Sequence, residues 1–299
     1  MLGTLPRVSF CIPTLNSERT LEKCLRSIKK QRYPDFEILI IDGCSTDHTL
    51  KIAERYADSI WSCKGSLGEA RQIGVEKSTG EILALFDDDV VIPQSNWLTK
   101  AVKRFDDDRN VSTVWPLVIS PPNSSLFARC YSNFSNEIKM DRLRSGRGYI
   151  GGTIALFRKR CVEEVGGFDR RLPWGEDFDI AKKLKEGGYR VVFHEDPLFH
   201  ETMMTIDEFL KKQILGARTF LGTGFDLMNL DANALLYEHL VVGFNGMFRG
   251  LFKQRDESWL LFPLLLITRL TAYATVSITG SFNNRSVNFG SLKPRHIRT

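Results

Sequence analysis

Three consecutive aspartates, Asp87-Asp88-Asp89, stand between two core-like residues, Phe86 and Val90, at the end of an apolar run over 82–86. Each carboxylate repels its neighbours, and unpaired charge beside a core is costly, so a cation is the natural compensation. A hard divalent cation, Mn2+ or Mg2+, takes carboxylate and water oxygens and readily adds the phosphate oxygens of a substrate. If the strand continues through the triplet, Asp87 and Asp89 share one side and Asp88 points to the other. A solvated acidic loop is the blander reading, and the apolar flanks argue against it. A second acidic pair, Glu176-Asp177, opens a helical stretch. Acids there suit the helix dipole, but a carboxylate within reach of a hydroxyl can also take its proton.

The elements that must position these groups follow from the spacing. Residues 8–12 read as a buried strand ended by Pro13, and 37–41 as a second, turned by Asp42-Gly43. Leu21, Cys24, Leu25 and Ile28 recur at helical spacing between them. Further helices are expected at 49–56 and 67–78, with a short strand at 60–61 and the 82–86 strand after them. Strands alternating with helices of this length imply βαβ units and a mainly parallel sheet. Ligands of such sheets sit beyond the carboxyl ends of the strands. Three strand ends therefore converge, carrying Pro13-Thr14-Leu15-Asn16, Asp42 and the aspartate triplet. Later the pattern loosens: 97–105 is helical, 111–119 strand-like, 123–148 polar and mixed, and 190–193 a short strand. Gly151-Gly152-Thr153 reads either as a close backbone approach to a ligand or as a tight turn.

The chain has 299 residues, 42% hydrophobic and 26% charged, which fits a folded domain with a real core and excludes disorder over most of the length. Six scattered cysteines, with no CxxC pair, read as reduced thiols rather than a disulfide frame or a zinc site. The first residues lack the basic and apolar regions of a secretory signal. The net charge is +5, and Lys293-Pro294-Arg295-His296-Ile297-Arg298 is basic, which suits an anionic membrane surface. Basic residues are not interleaved with aromatics, so nucleic acid is not an expected partner. Segment 259–280 is apolar and about long enough to span a bilayer, with Arg269 costly near its middle. It fits an interfacial helix equally, and a helix packed on the domain is the alternative.

The order Cys11-Ile12-Pro13-Thr14-Leu15-Asn16-Ser17-Glu18, Ile41-Asp42-Gly43-Cys44-Ser45-Thr46-Asp47, Glu69-Ala70-Arg71-Gln72, Gly80-Glu81, Phe86-Asp87-Asp88-Asp89 and Trp174-Gly175-Glu176-Asp177 resembles the family 2 glycosyltransferases with the GT-A fold. The resemblance covers roughly residues 7–203. It implies a Rossmann-like α/β catalytic domain over 1–204, its nucleotide-sugar half about 1–120 and its acceptor half about 121–204, followed by a helical extension over 205–299. It also implies an inverting transfer from a UDP-, GDP- or dTDP-sugar to a glycan or lipid-linked acceptor. The scattered cysteines, the first residues and the apolar segment 259–280 with its basic tail set the expected place of that reaction at the cytoplasmic face of a membrane. Pro13, Leu15, Glu18, Asp42 and Arg71 would line the nucleotide pocket. Asp87 would stand between metal and ribose, with Asp89 and His200 as metal ligands. Asp88 belongs to the nucleotide-side set, though its alternate direction turns it toward structural hydrogen bonds. Asp177 would be the catalytic base, with Gly152, Trp174 and Glu176 toward the acceptor. His194 competes with His200, but it falls within its strand rather than at the end. Two departures from the family pattern, Gly43 and Gln72, bear on recognition of the base and leave the metal and catalytic groups untouched.

Two other readings compete. A sugar-phosphate nucleotidyltransferase also uses Mg2+ on an α/β sheet, but carries a Gly-rich basic loop after its first strand, which 13–18 lacks. A catalytically silent membrane protein that binds nucleotide sugars would bind without turnover.

Overall fold

The computed structural model describes residues 5–105, 108–147, 150–152, 154–173, 175–201, 205–211, 213–214 and 232–280. The chain starts β1 (Val8–Thr14), α1 (Leu21–Lys29), β2 (Phe36–Asp42), α2 (Thr49–Ala53), β3 (Ser59–Ser62), α3 (Leu67–Lys77) and β4 (Ile82–Leu85). It continues β5 (Val90–Val91), α4 (Trp97–Lys103), β6 (Val111–Ile119), α5 (Leu126–Ser145), β7 (Ala155–Arg158), α6 (Lys159–Glu164), α7 (Glu176–Glu186) and β8 (Arg190–His200). The strands form one mixed eight-stranded sheet in the order β3-β2-β1-β4-β7-β6-β8-β5. Its first half, β3 to β4, is wholly parallel, while β7 runs antiparallel to both β4 and β6, and β5 antiparallel to β8. The mainly parallel sheet expected from the sequence is thus parallel where βαβ units build it and mixed beyond.

The central strands read as unbroken apolar runs because both faces are covered. Val8, Phe10, Ile12, Ile38, Ile40 and Ala84 face a cluster with α1 and α4, while Cys11, Leu39, Ile41, Leu83 and Leu85 face α3, α6 and α7. Phe10, Phe86 and Trp97 stack edge to face in the first cluster and are fully buried. Full burial of a side chain as large as phenylalanine contributes about 1.5–3 kcal/mol. On the other face α3 approaches β1 so closely that a Cβ on Gly74 would sit 2.9 Å from that of Cys11. That approach carries Arg71, one turn earlier, under the sheet's carboxyl edge.

Three expectations change. Strand β1 runs through Pro13 to Thr14, because Pro13 lies past the last β4 partner, Cys11↔Leu85, where a missing N–H costs no bond on that side. The polar stretch over 123–148 is mostly a 20-residue helix, α5. Ser125 caps it by accepting from the Ala128 N–H at 3.2 Å, and Gly146 ends it in the left-handed region. Phe127, Cys130, Phe134, Ile138 and Arg142 make its buried stripe, which polar neighbours obscure in the sequence. Finally, the short strand at 190–193 extends to His200 across Pro197. The register against β6 jumps from Pro116↔His194 to Val118↔Leu198, and this irregularity takes up the proline.

Beyond β8, Thr205 and Glu208 form a reciprocal capping box, backbone N–H to side-chain oxygen at 3.0 and 3.2 Å. A helical run over 232–254 and the apolar helix Phe262–Gly280 then pack on α5 through Phe134, Phe209, Trp259, Phe262, Leu265 and Leu266. Arg142 of α5 makes a bidentate, buried ion pair with Glu238, both bonds 2.7 Å. Removing one partner of such a pair costs about 3–5 kcal/mol, since it strands the other charge.

Candidate active site

The carboxyl ends of β1, β2 and β4 meet at one edge, as their parallel register requires. The Asp42 carboxylate organises the first two loops: it accepts from Thr14 Oγ1 at 2.9 Å, Ser45 Oγ at 2.6 Å and the Ser45 N–H at 2.8 Å. Asn16 and Cys44 both take left-handed backbone conformations there, φ 53° and 66°. Glu18 accepts from the His48 N–H at 3.1 Å. Leu15 is 62% exposed at the rim, and Pro13 is half-buried in the strand beneath it. These loops leave a floor of backbone and hydroxyl groups beside an exposed apolar side chain.

The aspartate triplet lies in the tight turn between β4 and β5, not in a continuing strand, with the Val90 N–H donating to the Asp87 carbonyl at 3.3 Å. The turn still divides the acids as alternation would. Asp87, Asp89 and His200 each offer a ligand atom, all within 4.8 Å of one another. Asp88 turns to the opposite side, 3.5 Å from Thr20 Oγ1, and burial pushes its carboxyl up to about 6. His200 reaches the acids because β5 and β8 pair antiparallel, setting Val90 opposite it, and its Nε2 lies 3.0 Å from Asp89 Oδ1. His194 is buried instead in an edge-to-face contact with Trp97, centroids 5.4 Å apart. Two carboxylates and one imidazole at this spacing fit a divalent cation that keeps open positions for water or phosphate.

Arg71 is the buried cation of the site. It donates through Nη1 to the Phe86 carbonyl at 2.9 Å and through Nη2 to the Asp87 carboxylate. The resemblance implies a nucleotide-side role for Arg71; its bond to the first aspartate is visible only in three dimensions. Gln72, one residue on, holds another loop: its Oε1 accepts from the Phe168 N–H at 2.9 Å.

Helix α7 starts at Gly175, φ 82°, a conformation that favours glycine. Of the two acids that follow, Glu176 is buried and Asp177 half-buried. Burial, with the charge of Asp177 next, pushes Glu176 up to about 8. Asp177 is also raised by burial, against the opposing charges of Lys139 and Arg71 and the Phe178 N–H, which donates to it at 2.9 Å. Lys139 escaped sequence reading because α5 itself did. Burial depresses its ammonium, which lies over the Trp115 ring at 5.6 Å and 3.0 Å from where a Cβ on Gly152 would sit. Asp177 and Gly152 share the lining of a cavity of about 210 Å³, with Arg142, Phe157 and Arg190 on its other walls. Glu176 does not line it, and neither do Asp42, Asp87, Asp89 and His200. Trp174 and Thr153 lie outside the described residues.

The groups brought together are thus a candidate cation site at one strand edge and a carboxylate pair at a helix start, with Arg71 bonded to the first aspartate. The profile described as Glycosyl transferase family 2 matches residues 9–166. The chain is 32% identical over 224 residues to Glycosyltransferase AglE of Haloferax volcanii, covering 71% of this chain and 72% of that protein. It is 33% identical over 92 residues to the poly(ribitol-phosphate) beta-N-acetylglucosaminyltransferase TarS of Staphylococcus aureus, 28% of this chain and 16% of that one. Among solved structures, the mannosyltransferase PcManGT of Pyrobaculum calidifontis, in complex with GDP-Man and Mn2+, superposes with a TM-score of 0.61 at 19% identity, covering 91% of this chain and 88% of that one. That last likeness is one of fold, and it extends past the profile match into the C-terminal helices.

Proposed function

The chain belongs to glycosyl transferase family 2 and is a glycosyltransferase, and on that premise we propose that it moves a sugar from a nucleoside-diphosphate donor to a hydroxyl of a glycan or lipid-linked acceptor, by single displacement with inversion and with a divalent cation. The observation that carries this reading is the convergence of Asp87, Asp89 and His200 within 4.8 Å at the edge where β1, β2 and β4 end. A cation bound there would neutralise the leaving diphosphate as a Lewis acid. PcManGT, the fold neighbour that holds GDP-Man and Mn2+, supports the same donor class.

The chain's own groups divide the remaining work. Asp42 shapes the loops on which the nucleoside would rest, with Leu15 at the rim and Glu18 beside them. Arg71 fixes Asp87 and adds positive charge beneath the diphosphate. Asp177 accepts the acceptor's proton as the new bond to C1 forms and the bond from C1 to the diphosphate oxygen breaks. One base on the face opposite the leaving group gives inversion. Glu176, pushed up to about 8, is neutral near pH 7 and adds no second negative charge beside the base.

The donor class is tested by screening UDP-, GDP- and dTDP-sugars for thermal stabilisation in Mn2+ or Mg2+. One nucleotide is expected to stabilise the fold by about 2.7 kcal/mol at a hundredfold excess over its Kd, and to lose that effect in a chelator. No stabilisation by any of them with metal present would sink the reading. Transfer of a nucleotidyl group from a nucleoside triphosphate to a sugar phosphate would point to the nucleotidyltransferase instead, and tight binding with no turnover to the silent module.

Lys139 has a consequence of definite sign. Its charge opposes the burial that raises Asp177, so removing it lets the Asp177 pKa climb further. The base is then protonated over more of the neutral range. For Lys139→Met, the acid limb of the kcat profile is expected to move to higher pH, with a rate near neutrality roughly tenfold lower. Recovery at alkaline pH and rescue by Lys139→Arg check the electrostatic role. A uniform loss at every pH would show packing alone.

A further inference from the structure

Sixteen large apolar side chains are exposed among the described residues, and nine of them fall between positions 236 and 270. They lie on the outer faces of the two consecutive helical elements that pack on α5. The inner face of the second, Phe262, Leu265, Leu266 and Ala272, is buried. Its outer face carries Leu264 at 43% exposure, Ile267 at 62% and Leu270 at 42%, and Leu260, at 67%, lies in the short turn Glu257–Leu261 just before it. A surface helix in water sets polar residues opposite its buried stripe, and this one sets leucine and isoleucine there. Its one internal cation, Arg269, is turned inward, 5.8 Å from the Phe134 ring centroid. In the preceding helical run, Phe248 and Phe252 stack at 6.2 Å, with Phe252 76% exposed. Exposed Lys253 and Arg255 follow at once, and the segment beyond 280 carries Arg285, Lys293, Arg295 and Arg298 with no acidic residue.

We propose that this face is a bilayer-docking surface: the helices lie in the plane of the membrane interface, Phe248, Phe252, Leu264 and Ile267 sink among acyl chains, and Lys253 and Arg255 meet anionic headgroups. Length and composition alone would let Glu257–Val276 cross a membrane. Its seating decides otherwise. Phe262 and Trp259 are fully buried against Phe134 of α5, and Asp256, at the start of the helix, is clamped by Arg129 at 2.6 Å and Asn133 at 2.8 Å. Helix α5 in turn bonds to the sheet, Ser132 and Asn136 both donating to the Val118 carbonyl. Crossing the bilayer would tear these contacts out, whereas lying on it keeps them and covers only the outer stripe. The stripe offers few polar atoms to set a register, so it suits a non-directional apolar phase better than a second protein surface. The flanking cations favour an anionic one.

Flotation of the full chain with phosphatidylcholine vesicles, with and without phosphatidylglycerol, tests this. Binding is expected to rise with phosphatidylglycerol and fall with salt. Phe252→Ser with Ile267→Ser is expected to lower the partition coefficient at least ~10-fold, since each buried CH2 contributes about 0.8 kcal/mol. Retained thermal stability of that variant shows that it folds. Absence of flotation on either vesicle overturns the proposal. Resistance to alkaline extraction, with a cysteine placed at 274 labelled only from the far side, overturns it in favour of a span. Dimers in vesicle-free solution that Phe252→Ser disperses, without flotation, overturn it in favour of a second copy.

Discussion

Asp177→Asn is expected to lower kcat by ~10²–10⁴, the range for losing a positioned general base, while metal-dependent binding of the donor persists. The substitution is nearly isosteric, and the asparagine oxygen can still accept from the Phe178 N–H that now bonds Asp177 at 2.9 Å. The start of α7 is therefore retained, and what disappears is the group that takes the proton. Wild-type transfer by this variant would reject Asp177 as the base. A loss of donor binding of the same size would place Asp177 in the donor site instead. Glu176→Gln is the natural control, because Glu176 is already neutral near pH 7 and its amide substitute changes no charge there.

Asp89→Ala is expected to remove both the metal requirement and the rate it supports. Lewis-acid stabilisation of a leaving diphosphate is worth several kcal/mol, on the order of 10³ in rate. The fold should survive, since Asp89 joins the sheet through its carbonyl, which accepts from the Glu201 N–H at 2.9 Å. Titration of Mn2+ against nucleotide-dependent stabilisation gives the measurement. His200→Ala should weaken that titration less, as one neutral ligand of three is lost and both carboxylates remain. Unchanged Mn2+ dependence in Asp89→Ala would remove this triad as the metal centre.

The sequence carried the donor side of the site further than the acceptor side, and the reason is periodicity. Strands β1, β2 and β4 are apolar runs bounded by turn residues, so their ends and the residues at those ends could be located within one or two positions. The aspartates were placed by strand alternation, whereas a tight turn separates them. Both geometries send Asp88 away from its neighbours, so the outcome agrees although the cause differs. The acceptor side rests on α5, whose buried stripe is spaced among asparagine, serine and charged residues. Missing that helix meant missing Lys139, because nothing else in the sequence brings a lysine to Asp177. Likewise, the run at 190–193 reads as a short strand by itself, and only the register jump against β6 allows β8 to continue across Pro197 to His200. The Arg142–Glu238 pair joins residues far apart in the chain, and no local signal announces it.

Strand β5 pairs with β8 alone, at the edge of the sheet. During synthesis the chain emerges from its amino end, at ~5–20 residues per second. Strands β1 to β4 and their helices can assemble as soon as they are made, since their partners are neighbours in sequence. The turn bearing Asp87 and Asp89 must then wait until residue 200 has been added before its far side is held and His200 joins the two acids. The amino-terminal half of the sheet is therefore an early product of translation, and the complete Asp87, Asp89 and His200 cluster a late one. A nascent chain cut short before β8 could shape the loops around Asp42 while still lacking His200.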